Sequence, residues 1–163
     1  MAPVPLIFLD VDGPLIPFTS RRGDDAAGSP AEVGNPLLDR LDPEDGRRLC
    51  ALGGRLVWAT TWMADANEVI SPRLGLPQLP VVEWPDDDEA PVGGLHWKTA
   101  FLVQWAAGRP FVWLDDEVTD ADQRWILAHH PGRALVHRVD PHVGLTETDF
   151  SVVRRWLEGA DSR

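Results

Sequence analysis

The sequence predicts an α/β fold built on a five-stranded, mainly parallel sheet, and two observations lead to this prediction. Five near-continuous apolar runs have the length of strands and are rich in Val, Leu, Ile and aromatic residues, as in strands covered on both faces. These runs alternate with segments of helical pattern, which is typical of parallel strands joined by helices. The predicted strands are Pro5–Leu9, Arg55–Ala59, Leu79–Glu83, Pro110–Leu114 and Ala134–Val139.

Helical patterns fill most of the sequence between these strands and after the last one. The predicted helices are Pro43–Leu52, Met63–Ile70, Trp97–Ala107, Asp120–His130 and Glu147–Leu157. Asp120 is the expected N-cap of the fourth helix, or else a further acid near the site, and Thr146 and Thr148 are both candidate N-caps of the fifth. The segment 14–35 is rich in Pro, Gly, Ser and mixed charge, which predicts an extended loop or hairpin.

Length and composition indicate one globular domain over residues 1–163. The formal net charge of −11 would repel a polyanionic phosphate backbone at long range, so nucleic acid is disfavoured as a partner but stays possible. A single cysteine, Cys50, excludes an internal disulfide and a CxxC metal site. The first apolar run is too short for a membrane span and lacks a preceding basic segment, so we expect a cytoplasmic protein with no membrane association.

Polar side chains follow three of the predicted strands. Asp10-Val11-Asp12-Gly13 follows the first strand, Thr60-Thr61-Trp62 follows the second, and Asp115-Asp116-Glu117 follows the fourth. Ligands of open parallel sheets bind beyond the carboxyl ends of the strands, where these segments would meet. Each segment alone is compatible with a turn or a helix cap, whereas the three together predict a functional site.

The four acids of these segments, Asp10, Asp12, Asp115 and Asp116, require a cation if they converge. Two like charges about 4 Å apart repel by roughly 4 kcal/mol at an effective dielectric constant near 20. Carboxylate ligands without neighbouring cysteines favour Mg²⁺ over zinc. A divalent metal in an acidic site in turn favours a substrate that carries phosphate, since the metal offsets the charge of both.

Other motifs that contain acids or bind phosphate do not fit. An EF-hand loop aligned on Asp10 and Asp12 needs an acid or Asn at position 8 and Glu at position 19, where this chain has Phe8 and Thr19. The sequence also contains no GxxxxGK[ST], GxGxxG or HExxH motif. A P-loop nucleotidase, a dinucleotide-dependent enzyme and a zinc protease of that type therefore lack support.

Four segments resemble, in order, motifs I to IV of the haloacid dehalogenase (HAD) superfamily: LIFLDVDG, LVWATTW, HWKTA and FVWLDDEVTDAD. The segment WATTWMADAN is also similar to HAD domains associated with RNA repair and with polynucleotide kinase-phosphatases. The resemblance implies a three-layer Rossmann-like fold with strand order 5-4-1-2-3. It also implies one Mg²⁺ ion and phosphatase or phosphotransferase activity through an aspartyl-phosphate.

The resemblance further implies a role for each matching residue. Asp10 would be the nucleophile and a metal ligand, and Asp12 would be the general acid and base, with its backbone carbonyl on the metal. Lys98 would hold Asp10 and the phosphoryl group. Asp116 would bind the metal directly, and Asp115 would either bind it through water or orient Lys98.

Motif II indicates which residues would bind the phosphate, and the lengths of the segments that could hold a cap domain indicate the size of the substrate. Thr60 is the expected phosphate-binding residue, with Thr61 as the alternative. Neither segment that carries a cap in this superfamily is long enough here for a folded cap domain. Members without a cap keep an open site, which accompanies large substrates such as proteins or polynucleotide ends, or closure by another subunit. The alternative to a phosphatase is a non-catalytic binding or regulatory protein on the same fold, and the oligomeric state stays open.

Overall fold

A parallel sheet of four strands organises the chain in the computed structural model, which describes residues 4–18, 38, 40–84 and 95–161. The strands are β1 (Leu6–Leu9), β2 (Arg55–Trp58), β3 (Phe111–Asp115) and β4 (Ala134–Arg138). They lie in the order β2-β1-β3-β4, and every neighbouring pair is parallel. The predicted loop or hairpin at 14–35 lies outside the described residues from position 19 onward.

In the described residues, five α-helices connect and follow the strands: α1 (Pro43–Ala51), α2 (Ser71–Leu74), α3 (Thr99–Ala106), α4 (Asp120–His129) and α5 (Glu147–Asp161). A π-helical turn, Ala66–Ile70, leads directly into α2. Thr146 caps α5, because its hydroxyl accepts a hydrogen bond from the Asp149 amide at 3.4 Å. Within the described ranges, none of the helices is both long enough and apolar enough to cross a membrane.

The sheet is covered on both faces, which gives three layers. Successive side chains of a strand point to opposite faces, so Ile7 and Leu9 belong to one core cluster while Leu6 and Phe8 belong to another. The first cluster also takes residues from α1, α2 and α5, and the second takes residues from α3 and α4. Burial on both faces explains why β1 is apolar throughout and why β3 is apolar up to its last residue, Asp115.

The fifth predicted strand, Leu79–Glu83, is the main correction to the predicted fold. It forms a single parallel bridge, Val81 with Trp58, instead of a strand, so the five-stranded sheet in the order 5-4-1-2-3 is not confirmed. The side chain of Asn67 also hydrogen-bonds both the N–H and the carbonyl of Leu79 at 2.8 Å, which ties this segment to the π-helical turn. The next residue, Pro80, has no N–H to donate, so no ladder can extend from there.

An amide side chain also contacts the opposite edge of the sheet. There the Gln123 side chain of α4 accepts a hydrogen bond from the Val136 amide of β4 at 2.9 Å. Asn67 on the β2 side and Gln123 on the β4 side therefore satisfy backbone groups near the two outer strands.

Backbone hydrogen bonds continue past the ends of the strands toward the carboxyl edge of the sheet. The amide of Asp10 donates to Leu114 at 3.2 Å, and the amide of Ala59 donates to Leu9 at 2.7 Å. These bonds fix the segments that follow β1 and β2 beside the end of β3. The carboxyl edge is therefore rigid at the position where the polar segments meet.

Two helical glycines give a test of the packing between α1 and α2. A Cβ at Gly46 would overlap the carbonyl oxygen of Leu74, whereas a Cβ at Gly159 of α5 would meet only Arg133 atoms at 3.6 Å or more. We expect Gly46→Ala to lower the free energy of unfolding by about 1–3 kcal/mol, although alanine is the better helix former. Gly159→Ala should instead be neutral or stabilising by up to about 1 kcal/mol. Urea denaturation measures both, and a stabilised Gly46→Ala would contradict the close approach of the two helices.

Candidate active site

The buried ammonium group of Lys98 lies at the centre of the carboxyl edge, just before α3. It donates to the carbonyl of Ala59 at 2.9 Å and to Asp115 Oδ2 at 3.0 Å, and it lies 3.2 Å from Asp10 Oδ1. Burial by itself lowers the pKa of Lys98, but the charges of Asp10 and Asp115 outweigh it, so the net direction is upward. Lys98 is therefore a permanent cation that joins the ends of β1, β2 and β3.

Asp115, the last residue of β3, has donors on both carboxylate oxygens. Oδ2 accepts from Lys98 and, at 3.2 Å, from the indole N–H of Trp113, while Oδ1 accepts from the Glu117 amide at 3.1 Å. Trp113 can reach this carboxylate because residues two apart on a strand point to the same face. The carboxylate of Asp115 is thus held in one orientation, facing Lys98.

Three buried carboxylates form the acidic cluster of the site: Asp10, Asp115 and Asp116. One oxygen of each lies within 4.8 Å of the others. Burial, followed by the charge of Asp115, raises the pKa of Asp10 to about 8 even though Lys98 opposes the shift. Burial and the same charge raise the pKa of Asp116 to about 6. One ammonium group does not balance this cluster, so its oxygens fit a hard divalent cation such as Mg²⁺.

Gly13 makes room for Asp116. Its φ of +104° lies in the region that favours glycine, and a Cβ at this position would lie 2.8 Å from the Asp116 carboxyl carbon. The turn after β1 is closed by a hydrogen bond from the Gly13 amide to the Ile16 carbonyl at 3.0 Å. Glycine in the DxDG sequence therefore lets the first turn pass directly over the acidic cluster.

Asp12 differs from the other acids of the site because its side chain is exposed. Its carboxyl group lies outside the cluster of three but lines the same pocket, and Oδ2 accepts a hydrogen bond from the indole N–H of Trp62 at 3.2 Å. The structure therefore separates one exposed carboxyl group from three buried ones.

The two threonines after β2 occupy different environments. Thr60 is fully buried, and its hydroxyl accepts from the Trp62 amide at 3.2 Å while its carbonyl accepts from the Trp84 indole at 2.9 Å. Thr61 is exposed and lines the pocket. Thr61 therefore has the more accessible hydroxyl, and Thr60 supports the loop beneath it.

A pocket of about 140 Å³ contains the site and has an aromatic rim. Asp10, Asp12, Lys98, Asp115 and Asp116 all line it, together with Phe18, His96 and Trp97. The residues predicted from the strand ends and motifs thus share one pocket, apart from Thr60, which does not line it.

Side chains that sequence reasoning did not select hold the segment before α3. The buried carboxylate of Asp122 accepts from the His96 amide at 2.8 Å and from the Thr99 hydroxyl at 2.7 Å. These bonds, with those from Thr119, outweigh burial and lower the pKa of Asp122.

Thr119 and Asp122 also form a capping box at the start of α4. Thr119 is therefore the N-cap of α4, and the prediction of Asp120 as this N-cap was wrong. The Thr-x-x-Asp spacing is the signal that identifies this cap.

Comparison with known proteins supports the same assignment as the sequence motifs. A family model described as "HAD domain in Swiss Army Knife RNA repair proteins" matches residues 6–150. This range runs from β1 into α5 and includes every residue of the site. The resemblance to the HAD superfamily is thereby confirmed. No curated protein and no solved structure matches the chain.

The raised pKa of Asp10 predicts how the stability of metal-free protein depends on pH. The folded state holds a proton up to about pH 8, whereas the unfolded chain releases it near the ordinary pKa of 3.8. The stabilisation is complete below the unfolded value and is lost as the pH rises through the folded value. We therefore expect the free energy of unfolding in EDTA to fall between pH 5 and pH 8.

The variant Asp10→Asn is the matched control, because it removes the titrating group and keeps the shape of the side chain. Its urea-denaturation midpoint should change less between pH 5 and pH 8 than that of the wild type. Added Mg²⁺ should raise the wild-type midpoint more at the higher pH, where the acids are ionised. A difference between wild type and variant that is constant with pH would show that Asp10 does not carry this proton.

Proposed function

We propose, since this chain belongs to the family of HAD domains found in Swiss Army Knife RNA repair proteins, that it is a Mg²⁺-dependent phosphatase. The reaction would hydrolyse a phosphomonoester through an aspartyl-phosphate on Asp10. The observation that carries the proposal is the buried ammonium of Lys98, which contacts two of the three acids in the cluster, Asp10 and Asp115. Such a cluster destabilises a fold unless a ligand offsets its charge, so it favours chemistry over a structural role.

Asp10 and Asp116 are the residues best placed to hold the metal. Both oxygens of Asp115 already accept hydrogen bonds, which favours a role for Asp115 in orienting Lys98. The turn at Gly13 brings the backbone next to Asp116, which is compatible with a backbone carbonyl ligand from Asp12. When bound, Mg²⁺ would supply the positive charge that keeps Asp10 ionised at neutral pH and screens the phosphate dianion from it.

In the first step, a carboxylate oxygen of Asp10 attacks phosphorus. A bond forms between this oxygen and phosphorus, and the bond from phosphorus to the ester oxygen breaks with its electron pair on that oxygen. Asp12 transfers its proton to the departing oxygen, which leaves as an alcohol. The ammonium of Lys98, 3.2 Å from Asp10, stabilises the charge that develops on the phosphoryl oxygens.

In the second step, water hydrolyses the aspartyl-phosphate. Asp12, now ionised, takes a proton as the water oxygen attacks phosphorus, and the Asp10 carboxylate leaves with the electron pair of its bond to phosphorus. Inorganic phosphate is released and both acids return to their starting protonation states. The phosphate is bound by Lys98 and by the loop after β2, where the Thr61 hydroxyl lines the pocket and Thr60 is buried beneath it.

A polynucleotide end is the second candidate for the substrate. The family description refers to RNA repair proteins, and Phe18 and Trp97 of the aromatic rim offer surfaces on which a base could stack. The net charge of −11 opposes this substrate at long range, so binding would depend on contacts near the pocket. A non-catalytic role for the same fold is the alternative to both phosphatase proposals.

Activity assays on purified protein test the proposal. We expect Mg²⁺-dependent release of phosphate from at least one member of a panel of 3′- and 5′-phosphorylated oligonucleotides, phosphopeptides, phosphorylated metabolites and aryl phosphates. EDTA should abolish the activity, and Asp10→Asn should lower kcat by about 10⁴-fold or more. Glu68→Gln, which neutralises an exposed acid on the π-helical turn, should leave the activity unchanged.

Two further measurements separate the mechanism from the alternatives. Mass spectrometry of acid-quenched reactions should find one phosphoryl group on Asp10 in the wild type and none in Asp10→Asn. Failure of metal-loaded protein to hydrolyse any member of the panel would contradict the enzyme and favour the binding or regulatory role.

A further inference from the structure

We propose that Trp62 is a positioning residue for Asp12, a role that rests on the proposed phosphatase function. The indole N–H of Trp62 donates to Oδ2 of Asp12 at 3.2 Å and thereby links the loop after β2 to the turn after β1. With Oδ2 held by this donor, Oδ1 is the oxygen left to exchange a proton with the ester oxygen. Trp62 would thus select the orientation of the carboxyl group in which proton transfer occurs.

The side chain of Asp12 needs such a support because its backbone is fixed while its carboxyl group is exposed. A bridge between Asp12 and Ile16 fixes the turn. Within the described part of the chain, the indole of Trp62 is the one hydrogen-bond donor found on the Asp12 carboxyl group. An exposed carboxyl group without a donor samples several rotamers, and only some of them point at the substrate.

Trp62 itself is held firmly enough to act as a fixed donor. Its ring is partly buried against the core cluster on one face of the sheet, and its amide donates to the Thr60 hydroxyl at 3.2 Å. The following residue, Met63, has a φ of +51°, in the left-handed region that non-glycine residues rarely adopt. Its amide closes the turn on the Thr60 carbonyl at 3.2 Å. Strain of this kind persists where the surrounding contacts impose it, and it is concentrated at functional sites.

A comparison of two leaving groups, one that needs a proton to depart and one that does not, shows whether a residue acts through the general acid. A p-nitrophenolate leaves readily without a proton, whereas an alkoxide needs one as its bond to phosphorus breaks. The parameter kcat/KM reports the steps up to departure of the leaving group, so the later hydrolysis of the aspartyl-phosphate does not enter it. Loss of a residue that positions Asp12 should therefore lower kcat/KM for alkyl phosphates and spare p-nitrophenyl phosphate.

The test compares Trp62→Phe with wild type on p-nitrophenyl phosphate and on an alkyl phosphate. We expect kcat/KM to fall about tenfold for the alkyl ester, a part of the ~10²–10⁴-fold that general acid–base catalysis contributes. For p-nitrophenyl phosphate it should change by less than about twofold, since departure of this group needs no acid. Trp156→Phe, which alters a half-buried tryptophan on α5, should change neither value.

A double-mutant cycle then shows whether the effect passes through Asp12. In the Asp12→Asn background, Trp62→Phe should cause no further loss with the alkyl ester. Equal losses on both esters, or full additivity with Asp12→Asn, would overturn the role of Trp62 while the wild-type activity still supports the phosphatase. An inactive wild type would instead overturn the proposed function and the inference with it.

A spectroscopic measurement keeps the inference testable if Trp62→Phe does not fold. One of the eight indole N–H resonances of the wild type should shift when Asp12 is replaced by Asn, because the acceptor of its hydrogen bond loses its charge. Indole resonances that are all unchanged in Asp12→Asn would overturn the hydrogen bond on which the inference depends.

Discussion

The contacts of the buried Lys98 ammonium group are the constraint on which the site depends. This ammonium contacts a carbonyl beyond β2 and carboxylates at the ends of β1 and β3, so it holds three segments that are distant in sequence. A buried charge needs partners, and each of its partners in turn needs the charge. The ends of β1, β2 and β3 and the start of α3 must all be in place for these three contacts to form together.

Burial of the acids shifts their proton equilibria and favours binding of a cation. Burial, followed by the charge of Asp115, raises the pKa values of Asp10 and Asp116. Exposure of the same residues would lower the repulsion and would remove the reason to bind a cation. For Asp12, in contrast, exposure is an advantage, because a group that exchanges protons with a substrate must be accessible to it. The pocket thus places a buried carboxyl group, that of Asp10, and an exposed one, that of Asp12, only two residues apart in the chain.

Much of this organisation was predictable from local pattern. Apolar runs followed by Asp10, Thr60 and Asp115 predicted the carboxyl edge of a parallel sheet, because strands buried on both faces have a recognisable composition. The absence of a fifth strand at Leu79–Glu83 was not predictable in the same way, because the Asn67 side chain that binds the Leu79 backbone lies twelve residues earlier. The contact of Trp62 with Asp12 spans fifty residues, and no spacing in the sequence indicates it.

The amide side chains of Asn67 and Gln123 have a consequence for the protein in a concentrated solution. Outer strands of a sheet offer unpaired N–H and C=O groups, which another polypeptide can use to extend the sheet and begin an aggregate. Here Asn67 occupies backbone groups beside β2, and Gln123 occupies one on β4. Each flank of the open sheet therefore has at least one backbone group that an amide side chain already occupies, which leaves fewer of them for another chain to pair with.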